Sequence, residues 1–445
     1  MIDTDNSGVV VGLDVGSYKI KCVIAKRTPN KKYGIVSASE SKSRGVKNGV
    51  IVDIANLSAI ISRTIIRAEK EANFSIKKVN ISLPALHIRT LNLHGSIYVA
   101  RNDKHITYDD VENVLEKAIF SVKLPPNLEV VDLIINEFII DGFGHVSNPL
   151  DMVGVLLEVN IEVYVGPKTV YKNFQTAVRQ AGFEVLESGL SPLLNGKLIL
   201  SDEQQNNGVI LIDLGANQTT TSIIKDHHMR FVSNIDQGSS NITKDLRQIL
   251  ASEKNIDINF EQAERLKRDF GYADPGKVDD KKIIQFNYSN TGKNKRILIK
   301  YISQIINNRV ENINRIIYAD LNQITDISLP RKIILIGGGA SLTGISSLFE
   351  KRFNKTVHLF VPKEIGLRRP SFVNVISIIH FVMNQSVTEG LSKRTLKVKS
   401  VAKEIGHFQS NEIKESRKKF RQKGKFSKKK SFFDKIKEYY SRMFE

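Results

Sequence analysis

The chain has 445 residues, of which 41% are hydrophobic and 25% are charged, as in ordinary globular proteins. This length predicts two or more lobes rather than one small core. The single cysteine, Cys22, excludes an intramolecular disulfide and favours a reducing compartment. There is no run of about 18 apolar residues, and the start "MIDTDNSG" lacks a signal pattern, so we expect neither a transmembrane helix nor secretion.

Positive charge is concentrated at the C-terminal end of the chain. The formal net charge is +19, and residues 391–445 hold 18 Lys and Arg against 6 Asp and Glu. Residues 1–390 hold 48 against 41. We therefore expect a nearly neutral globular body that carries a separate, charge-driven attachment segment.

Two segments of the body repeat the same pattern. "VVVGLDVGSYKIKCVIA" and "GVILIDLGANQTTTSII" each read as a strand, a turn that follows an aspartate, and a second strand. Asp14 and Asp213 lie 199 positions apart, which predicts a duplicated α/β unit. Such turns expose backbone N–H groups to a phosphate, and an aspartate can hold hydrated Mg²⁺. D-x-G is also common in ordinary hairpins, so neither turn alone indicates a phosphate site. The repetition of the pattern favours a paired phosphate site.

A third element contains three consecutive glycines. "RKIILIGGGASLTGISSLFEKRF" predicts a buried strand, a turn at Gly337–Gly339 and a helix from about Ser341, where a planar ring or ribose could pack on bare backbone. A dinucleotide fingerprint is the alternative, but Glu364 matches its acidic position only loosely. In "FEQAERLKRDFGYA", Glu264 and Lys267 share a helix face, either for a ribose or as a surface ion pair.

In this order, the two hairpins, the A-E-x-x-K helix and the glycine turn resemble the actin/Hsp70/sugar-kinase superfamily. "SRGVKNGVIVDI" and "DGFGHVSNPLDMVGVLLEVNIEVYVG" resemble two segments of the FtsA family of bacterial division proteins, the second in its subdomain 1C. The resemblance implies an α/β actin-like fold with two duplicated lobes around an ATP cleft, plus an FtsA-type 1C. The implied boundaries are 1A at 8–83, 167–200 and 365–390, 1C at 84–166, 2A at 201–240 and 306–364, 2B at 241–305, a basic flexible linker at 391–430 and an amphipathic helix at 431–445.

The resemblance also implies the residues that bind ATP and Mg²⁺. Asp14 and Asp213 would hold the metal ion through water. The remaining implied contacts are Gly16, Ser17, Tyr18 and Lys19 in the first phosphate turn, Gly215, Asn217, Gln218 and Thr219 in the second, Glu264 and Lys267 beside the ribose, and Gly337, Gly338 and Gly339 beside the adenine.

Two departures from the superfamily pattern concern ATP binding and hydrolysis. "DLGANQT" stands where D-I-G-G-G-T is usual, and the Cβ atoms of Ala216 and Asn217 restrict positive φ angles and the approach of the backbone to a phosphate. Related ATPases place a glutamate where "VLESGLSPLLNGKL" has Ser188 or Gly189, with Glu187 nearby. We therefore expect slow hydrolysis at best, as in a nucleotide-gated scaffold.

Partners are implied by the same resemblance. FtsA tethers the tubulin-like protein FtsZ to the cytoplasmic face of the membrane at the division site, polymerises, and recruits later division proteins, here through 1C. In 2B, basic residues on or beside a predicted helix would receive the acidic-hydrophobic FtsZ tail, although each could equally belong to a solvated helix face. These residues are Lys293, Lys295, Arg296 and Arg309.

The C-terminal segment predicts attachment to an anionic membrane surface. On a helical wheel, the apolar residues of 432–445 occupy one arc of about 140°, and 414–430 contains ten Lys and Arg, including Lys428, Lys429 and Lys430. Such a helix lies in the bilayer interface rather than spanning it. An alternative is that this helix docks on the protein's own body. Binding to nucleic acid is disfavoured, because it would not require the apolar arc. The arc contains Phe432, Phe433, Ile436, Tyr439, Tyr440, Met443 and Phe444.

Two other functions fit the superfamily. A sugar kinase or another cytosolic ATPase would need a substrate-binding insertion and a catalytic aspartate, for which the sequence offers no clear candidate. The pilus-assembly protein PilM shares the fold and the type of insertion, but it is not expected to end in its own amphipathic helix. The sequence therefore favours the division adaptor.

Overall fold

The computed structural model describes residues 8–28, 33–100, 102–287 and 294–396. The strands are β1 (Val9–Val15), β2 (Lys19–Arg27), β3 (Tyr33–Lys42), β4 (Val46–Lys47), β5 (Val50–Ile51), β6 (Lys78–Leu83), β7 (Arg89–Tyr98), β8 (Leu128–Ile140), β9 (Phe143–Val146), β10 (Leu156–Pro167), β11 (Glu184–Leu190), β12 (Val209–Leu214), β13 (Thr219–Lys225), β14 (His228–Ile235), β15 (Ile283–Asn287), β16 (Asn294–Leu298), β17 (Lys332–Ile336) and β18 (Thr356–Leu359). The helices are α1 (Ile54–Ala72), α2 (Tyr108–Phe120), α3 (Lys168–Gln180), α4 (Ser191–Ile199), α5 (Asp202–Asn207), α6 (Ser239–Lys254), α7 (Phe260–Phe270), α8 (Ile299–Asn322), α9 (Ile345–Phe353) and α10 (Val373–Asn384).

Two five-stranded sheets with the same architecture form the two lobes. Their strand orders are β3-β2-β1-β6-β11 and β14-β13-β12-β17-β18. In each, a meander of three antiparallel strands is followed by two strands that pair in parallel. The apolar runs of β1 and β12 occupy the middle of these sheets, where both faces are covered and a continuous hydrophobic strand is expected. The predicted duplication and two-lobe α/β fold are confirmed.

A third sheet is inserted into the first lobe. Its order is β7-β10-β8-β9, and α2 packs across β7 and β10. Thr107 caps the start of α2, since its hydroxyl accepts from the Asp110 N–H while the Asp110 carboxylate accepts from the Thr107 N–H. This reciprocal capping satisfies two backbone donors at the helix end.

Helices α4 and α10 pack against each other where the chain passes between the lobes. Helix α4 leads from β11 of the first sheet towards β12 of the second, and α10 returns from the second sheet to pack on β1 and β2. The approach of α10 to β1 requires Gly12, since a Cβ there would lie 2.8 Å from Val375 O. Two helices that are far apart in sequence therefore connect the lobes, and we call α4 and α10 the hinge helices.

The basic residues predicted in 2B lie on two different elements. Arg296 is exposed on strand β16, because the predicted helix begins only at Ile299, after a β15–β16 hairpin. Arg309 lies on α8 and forms two hydrogen bonds with the Asp245 carboxylate, at 2.6 and 2.9 Å. Lys293 and the side chain of Lys295 lie outside the described residues.

The first residues assigned to the flexible linker are helical and partly buried. Residues 387–396 form a helix, and Lys393 on it is 8% exposed. The Lys393 ammonium contacts Asp132 Oδ1 at 2.5 Å and Ser188 O at 3.0 Å. Arg394 contacts Glu112 on α2 at 3.3 Å. Ion pairs thus join this helix to the inserted sheet and its helix. The remainder of the predicted linker and the predicted helix at 431–445 lie outside the described residues.

Replacing Lys393 by methionine is expected to lower the free energy of unfolding by about 3 kcal/mol, because the buried Asp132 carboxylate loses its cation. Lys197→Met is a matched control. Its ion pair with Glu389 is more exposed, so the same substitution should cost about 1 kcal/mol or less. Urea unfolding of both variants measures the difference, and equal losses would contradict a buried ion pair at Lys393.

Candidate functional site

A cleft of about 420 Å³ lies between the two duplicated hairpins. It brings together residues from both lobes and from the hinge helices. Of the predicted nucleotide-binding residues, those that line it are Asp14, Gly16, Ser17, Tyr18, Lys19, Asp213, Gly215, Asn217, Gln218, Glu264, Lys267, Gly337, Gly338 and Gly339.

The two turns at the cleft have related geometry. The Gly16 N–H donates to Lys19 O, and a Cβ at Gly215 would lie 2.6 Å from Gln218 O. Neither Ala216 nor Asn217 has a positive φ angle. The two residues that replace glycines in the second turn are therefore accommodated without backbone strain, and the expected restriction of φ does not arise.

The resemblance implies Thr219 as a contact in the second phosphate turn, but Thr220 lines the cleft instead. The Thr219 side chain is buried, and its hydroxyl donates to Gln237 O at 2.7 Å. Both residues lie on β13, and successive side chains of a strand point to opposite faces. The sequence pattern predicts strand β13 but does not indicate which of its two faces borders the cleft.

The two aspartates of the duplicated hairpins have different partners. Asp14 is buried and pairs with the Lys21 ammonium at 2.8 Å. Asp213 accepts a hydrogen bond from the Asn374 amide at 3.0 Å. Burial and the neighbouring Asp14 raise the pKa of Asp213, while the Asn374 hydrogen bond and Lys21 oppose this rise. A divalent cation would relieve the repulsion between the two carboxylates, so the site fits such an ion.

The first glycine of the glycine turn accommodates the Asp213 carboxylate. Gly337 has a φ of +86°, and a Cβ there would lie 2.1 Å from Asp213 Oδ1. At Gly338, by contrast, the nearest atom to an added Cβ would be Ser371 Cβ at 3.7 Å. The turn therefore presents Gly338 to open space beside the cleft, while Gly337 permits the close approach of strand β12.

Glu264 and Lys267 belong to a hydrogen-bonded network in which Lys267 is buried and Glu264 is partly buried, rather than to a surface ion pair. The Lys267 ammonium contacts Glu264 Oε2 at 2.7 Å, Thr243 Oγ1 at 2.8 Å and Ser239 O at 3.0 Å. Burial lowers the pKa of Lys267, and Glu264 opposes that change. With all these partners in place, both side chains are oriented at the wall of the cleft.

Several cleft residues were missed because they come from other parts of the chain. Lys21 had a local signal, since it alternates with Lys19 along β2 and so lies on the same face. The others required the tertiary structure; they include Ser82, Ser191, Ser239, Arg369, Ser371 and Asn374. In the segment "VLESGLSPLLNGKL", where related ATPases place a glutamate, Ser191 lines the cleft.

The lobes also contact each other at the mouth of the cleft. The rings of Tyr18 and Phe260 lie 6.5 Å apart, and Lys42 on β3 pairs with Glu261 on α7. Within the described ranges, no group of three or more His, Cys, Asp or Glu could hold a metal ion by itself. Nor does any helix of the described part have the length and apolar character needed to cross a bilayer.

Comparison with known proteins identifies the family. The family model of the cell division protein FtsA matches residues 210–377, and that of the SHS2 domain inserted in FtsA matches residues 85–165. The FtsA of Enterococcus hirae is 35% identical and covers 87% of this chain and 86% of its own length. The FtsA of Bacillus subtilis is 30% identical over the same shares of the two chains.

Solved structures share the fold at low sequence identity. The chain in a PilM–PilN type IV pilus biogenesis complex has a TM-score of 0.54 and 14% identity, covering 84% of this chain and 98% of that one. Spiroplasma citri MreB5 bound to ADP has a TM-score of 0.53 and 13% identity, covering 86% and 98%. A MamK double helical filament has a TM-score of 0.52 and 11% identity, covering 85% and 99%. The fold is thus actin-like, PilM is the weaker alternative, and the chain belongs to the FtsA family of cell-division proteins.

Proposed function

We propose that this protein binds ATP with Mg²⁺ and anchors FtsZ filaments to the cytoplasmic face of the cell membrane at the division site. The observation that carries the proposal is the cleft in which the duplicated hairpins of an FtsA-family chain face one another, with Asp14 and Asp213 on its walls. We further propose that it acts as a nucleotide-gated scaffold, with slow hydrolysis at best.

In the cleft, each group has a proposed role in binding the nucleotide. The backbone N–H groups of the two turns and the Lys19 ammonium would contact phosphates. Glu264 and Lys267 would orient the ribose, and the bare backbone at Gly338 would face the adenine. Mg²⁺, held through water by Asp14 and Asp213, would neutralise phosphate charge. All of these groups lie on a single cleft.

Membrane attachment is proposed for the C-terminal segment. The arc of apolar residues predicted in 431–445 would insert among lipid headgroups, and the ten Lys and Arg of 414–430 would face anionic lipid. Each cation near such a surface contributes about 1 kcal/mol, so even half of them add several kcal/mol. Binding would therefore be reversible, and stronger on anionic lipid.

We also propose self-polymerisation and recruitment of later division proteins through 1C. The MamK neighbour was solved as a double helical filament, and the PilM neighbour as a complex with PilN. These titles describe those proteins; for this chain they support association with copies of itself and with partners as the property to test.

Replacing Arg296 by glutamate is expected to weaken binding of the FtsZ tail by roughly tenfold, since a basic side chain would be lost from the proposed acidic-peptide site. Arg309 is already engaged by Asp245, so the charge-reversing Arg309→Glu would also disrupt α8. Arg63→Glu, on exposed α1 surface, makes the same change of charge elsewhere. An anisotropy titration with a labelled FtsZ tail peptide compares the three, and equal affinities for Arg296→Glu and wild type would remove Arg296 from the site.

Co-sedimentation with anionic liposomes tests the proposed function directly. The full chain and a version lacking residues 431–445 are compared, with Mg-ATP and FtsZ added in turn. We expect pelleting that depends on residues 431–445 and that carries FtsZ into the pellet. A full-length protein that stays in the supernatant under every condition would contradict the adaptor function and favour docking of the terminal segment on its own body.

A further inference from the structure

The Asn374 side chain connects the cleft to the hinge between the lobes. Its Nδ2 donates to Asp213 Oδ2 at 3.0 Å, and its Oδ1 accepts from Asn195 Nδ2 at 2.8 Å. Asn374 lies in the first turn of α10, and Asn195 lies on α4 with only 1% of its surface exposed. One amide thus contacts the cleft carboxylate at one end and the neighbouring hinge helix at the other.

The orientation of this amide follows from its two partners. A flipped Asn374 would place its oxygen against the carboxylate and its NH₂ against the amide donor of Asn195, so both hydrogen bonds would be lost. The other oxygen of the carboxylate, Asp213 Oδ1, lies where a side chain on Gly337 would be. The carboxylate is therefore confined by the glycine turn on one side and by Asn374 on the other.

Asp213 has a neutral hydrogen-bond partner, whereas Asp14 has a cationic one. Asp14 is paired with the Lys21 ammonium, which offsets its charge. Asn374 orients Asp213 through a hydrogen bond but adds no positive charge, so this partner does not neutralise the carboxylate. The two hairpins are duplicated in backbone structure, yet their aspartates are held in different ways.

The hinge position of Asn195 and Asn374 links this carboxylate to movement of the lobes. Helices α4 and α10 both lie where the chain passes from one lobe to the other, and they pack on each other. A rotation of the lobes that shifts α4 along α10 would displace Asn195 from Asn374. The position of the Asp213 carboxylate then depends on how the two helices are packed.

We propose that Asn374 is a positioning residue that holds Asp213 for a hydrated divalent cation and couples this carboxylate to hinge helix α4 through Asn195. This role rests on the proposed binding of Mg-ATP, which it deepens. Because coupling between sites is reciprocal, a cation bound at Asp213 would in turn stabilise the packing of α4 on α10. Asn374 contributes to the Mg²⁺-dependent part of the affinity and not to contacts with the nucleotide itself.

Calorimetric titration with ATP in the presence of Mg²⁺, and again with EDTA, tests this assignment on the full chain. Asn374→Leu is expected to lower the Mg-ATP affinity by roughly tenfold while changing the affinity in EDTA by less than about twofold. Asn195→Leu should give a smaller loss with the same dependence on Mg²⁺. Asn384→Leu makes the same substitution at an exposed asparagine of α10 that lies outside the cleft and whose amide donates to His380 O, and it should keep the wild-type ratio. If the leucine variant does not fold, Asn374→Ser, too short to reach both partners, takes its place.

An Asn374 variant with the wild-type ratio of affinities would overturn the proposal, as would an equal loss with and without Mg²⁺. If the wild type itself binds no nucleotide, the proposed function is wrong. The contact between Asn195 and Asn374 is then tested in the absence of ligand. Urea unfolding of Asn195→Leu, Asn374→Leu and the double variant measures their coupling. Non-additive losses would support the contact between the helices, and additive losses would refute it.

Discussion

Replacing Phe433 and Ile436 together by aspartate is expected to abolish binding to anionic vesicles, with at least a hundredfold loss of affinity. Two apolar side chains leave the predicted arc, and burying each of them in the interface contributes roughly 1.5–3 kcal/mol. The two new carboxylates also repel the anionic lipid. Vesicle sedimentation at fixed lipid composition and salt measures the loss, and the thermal unfolding of the body should not change.

The matched control changes the charge by the same amount on the polar side of the predicted wheel. Ser441→Asp with Arg442→Gln also lowers the net charge by two but leaves every apolar residue of the arc in place. It should weaken binding by less than about tenfold, since only the electrostatic contribution changes. If both double variants lose affinity equally, attraction of charge alone explains the binding, and insertion of the apolar arc is wrong.

Replacing Asp213 by asparagine is expected to lower the Mg-ATP affinity by roughly tenfold or more while raising the melting temperature at neutral pH. Burial and Asp14 raise the pKa of Asp213 in the folded protein, so the folded state binds this proton more tightly than the unfolded state does. Stability from the protonated carboxyl is therefore lost as pH rises through the folded pKa. Asparagine avoids that loss and can still accept from Asn374.

The effect of Asp213→Asn on stability depends on pH. The stabilising effect of Asp213→Asn should be absent below the unfolded pKa, about 4, and should grow as pH rises through the higher pKa of the folded protein. Asp14→Asn is the matched control, and it should lower the melting temperature because the buried Lys21 loses its partner. Calorimetry and thermal unfolding from pH 4 to pH 8 test both variants. A lower melting temperature for Asp213→Asn at neutral pH would contradict the destabilising burial of Asp213.

Thr219 and Lys21 show how much of the site can be predicted from local sequence patterns. Both hairpins were predictable because a strand, a turn and a second strand are encoded by residues next to each other. The face of each strand depends on what packs against the sheet, and Thr220 rather than Thr219 borders the cleft. Lys21 was predictable from its alternation with Lys19, whereas its pairing with Asp14 required the register of β1 with β2.

The glycine turn and the hinge show the limit more sharply. The three glycines predict that a planar ring or ribose packs on bare backbone, whereas the structure places the Asp213 carboxylate against Gly337. Asn374 lies 161 positions from the aspartate that it contacts, and Lys393 lies 261 positions from Asp132. No pattern within a few residues of either side chain indicates such a partner.

The sequence by itself determined the duplicated strand–turn–strand units, because periodicity and turn chemistry are properties of neighbouring residues. The resemblance of its motifs to known families indicated the two-lobe actin-like fold and the family. The apolar arc and the basic run near the C-terminus are likewise legible in the sequence. Only the tertiary structure decided that Asp14 is held by a cation and Asp213 by an amide, and that the helix at 387–396 is joined to the inserted sheet by a buried ion pair. These pairings form when distant segments pack into a common core, where desolvation makes the choice of partner for each buried charge energetically decisive.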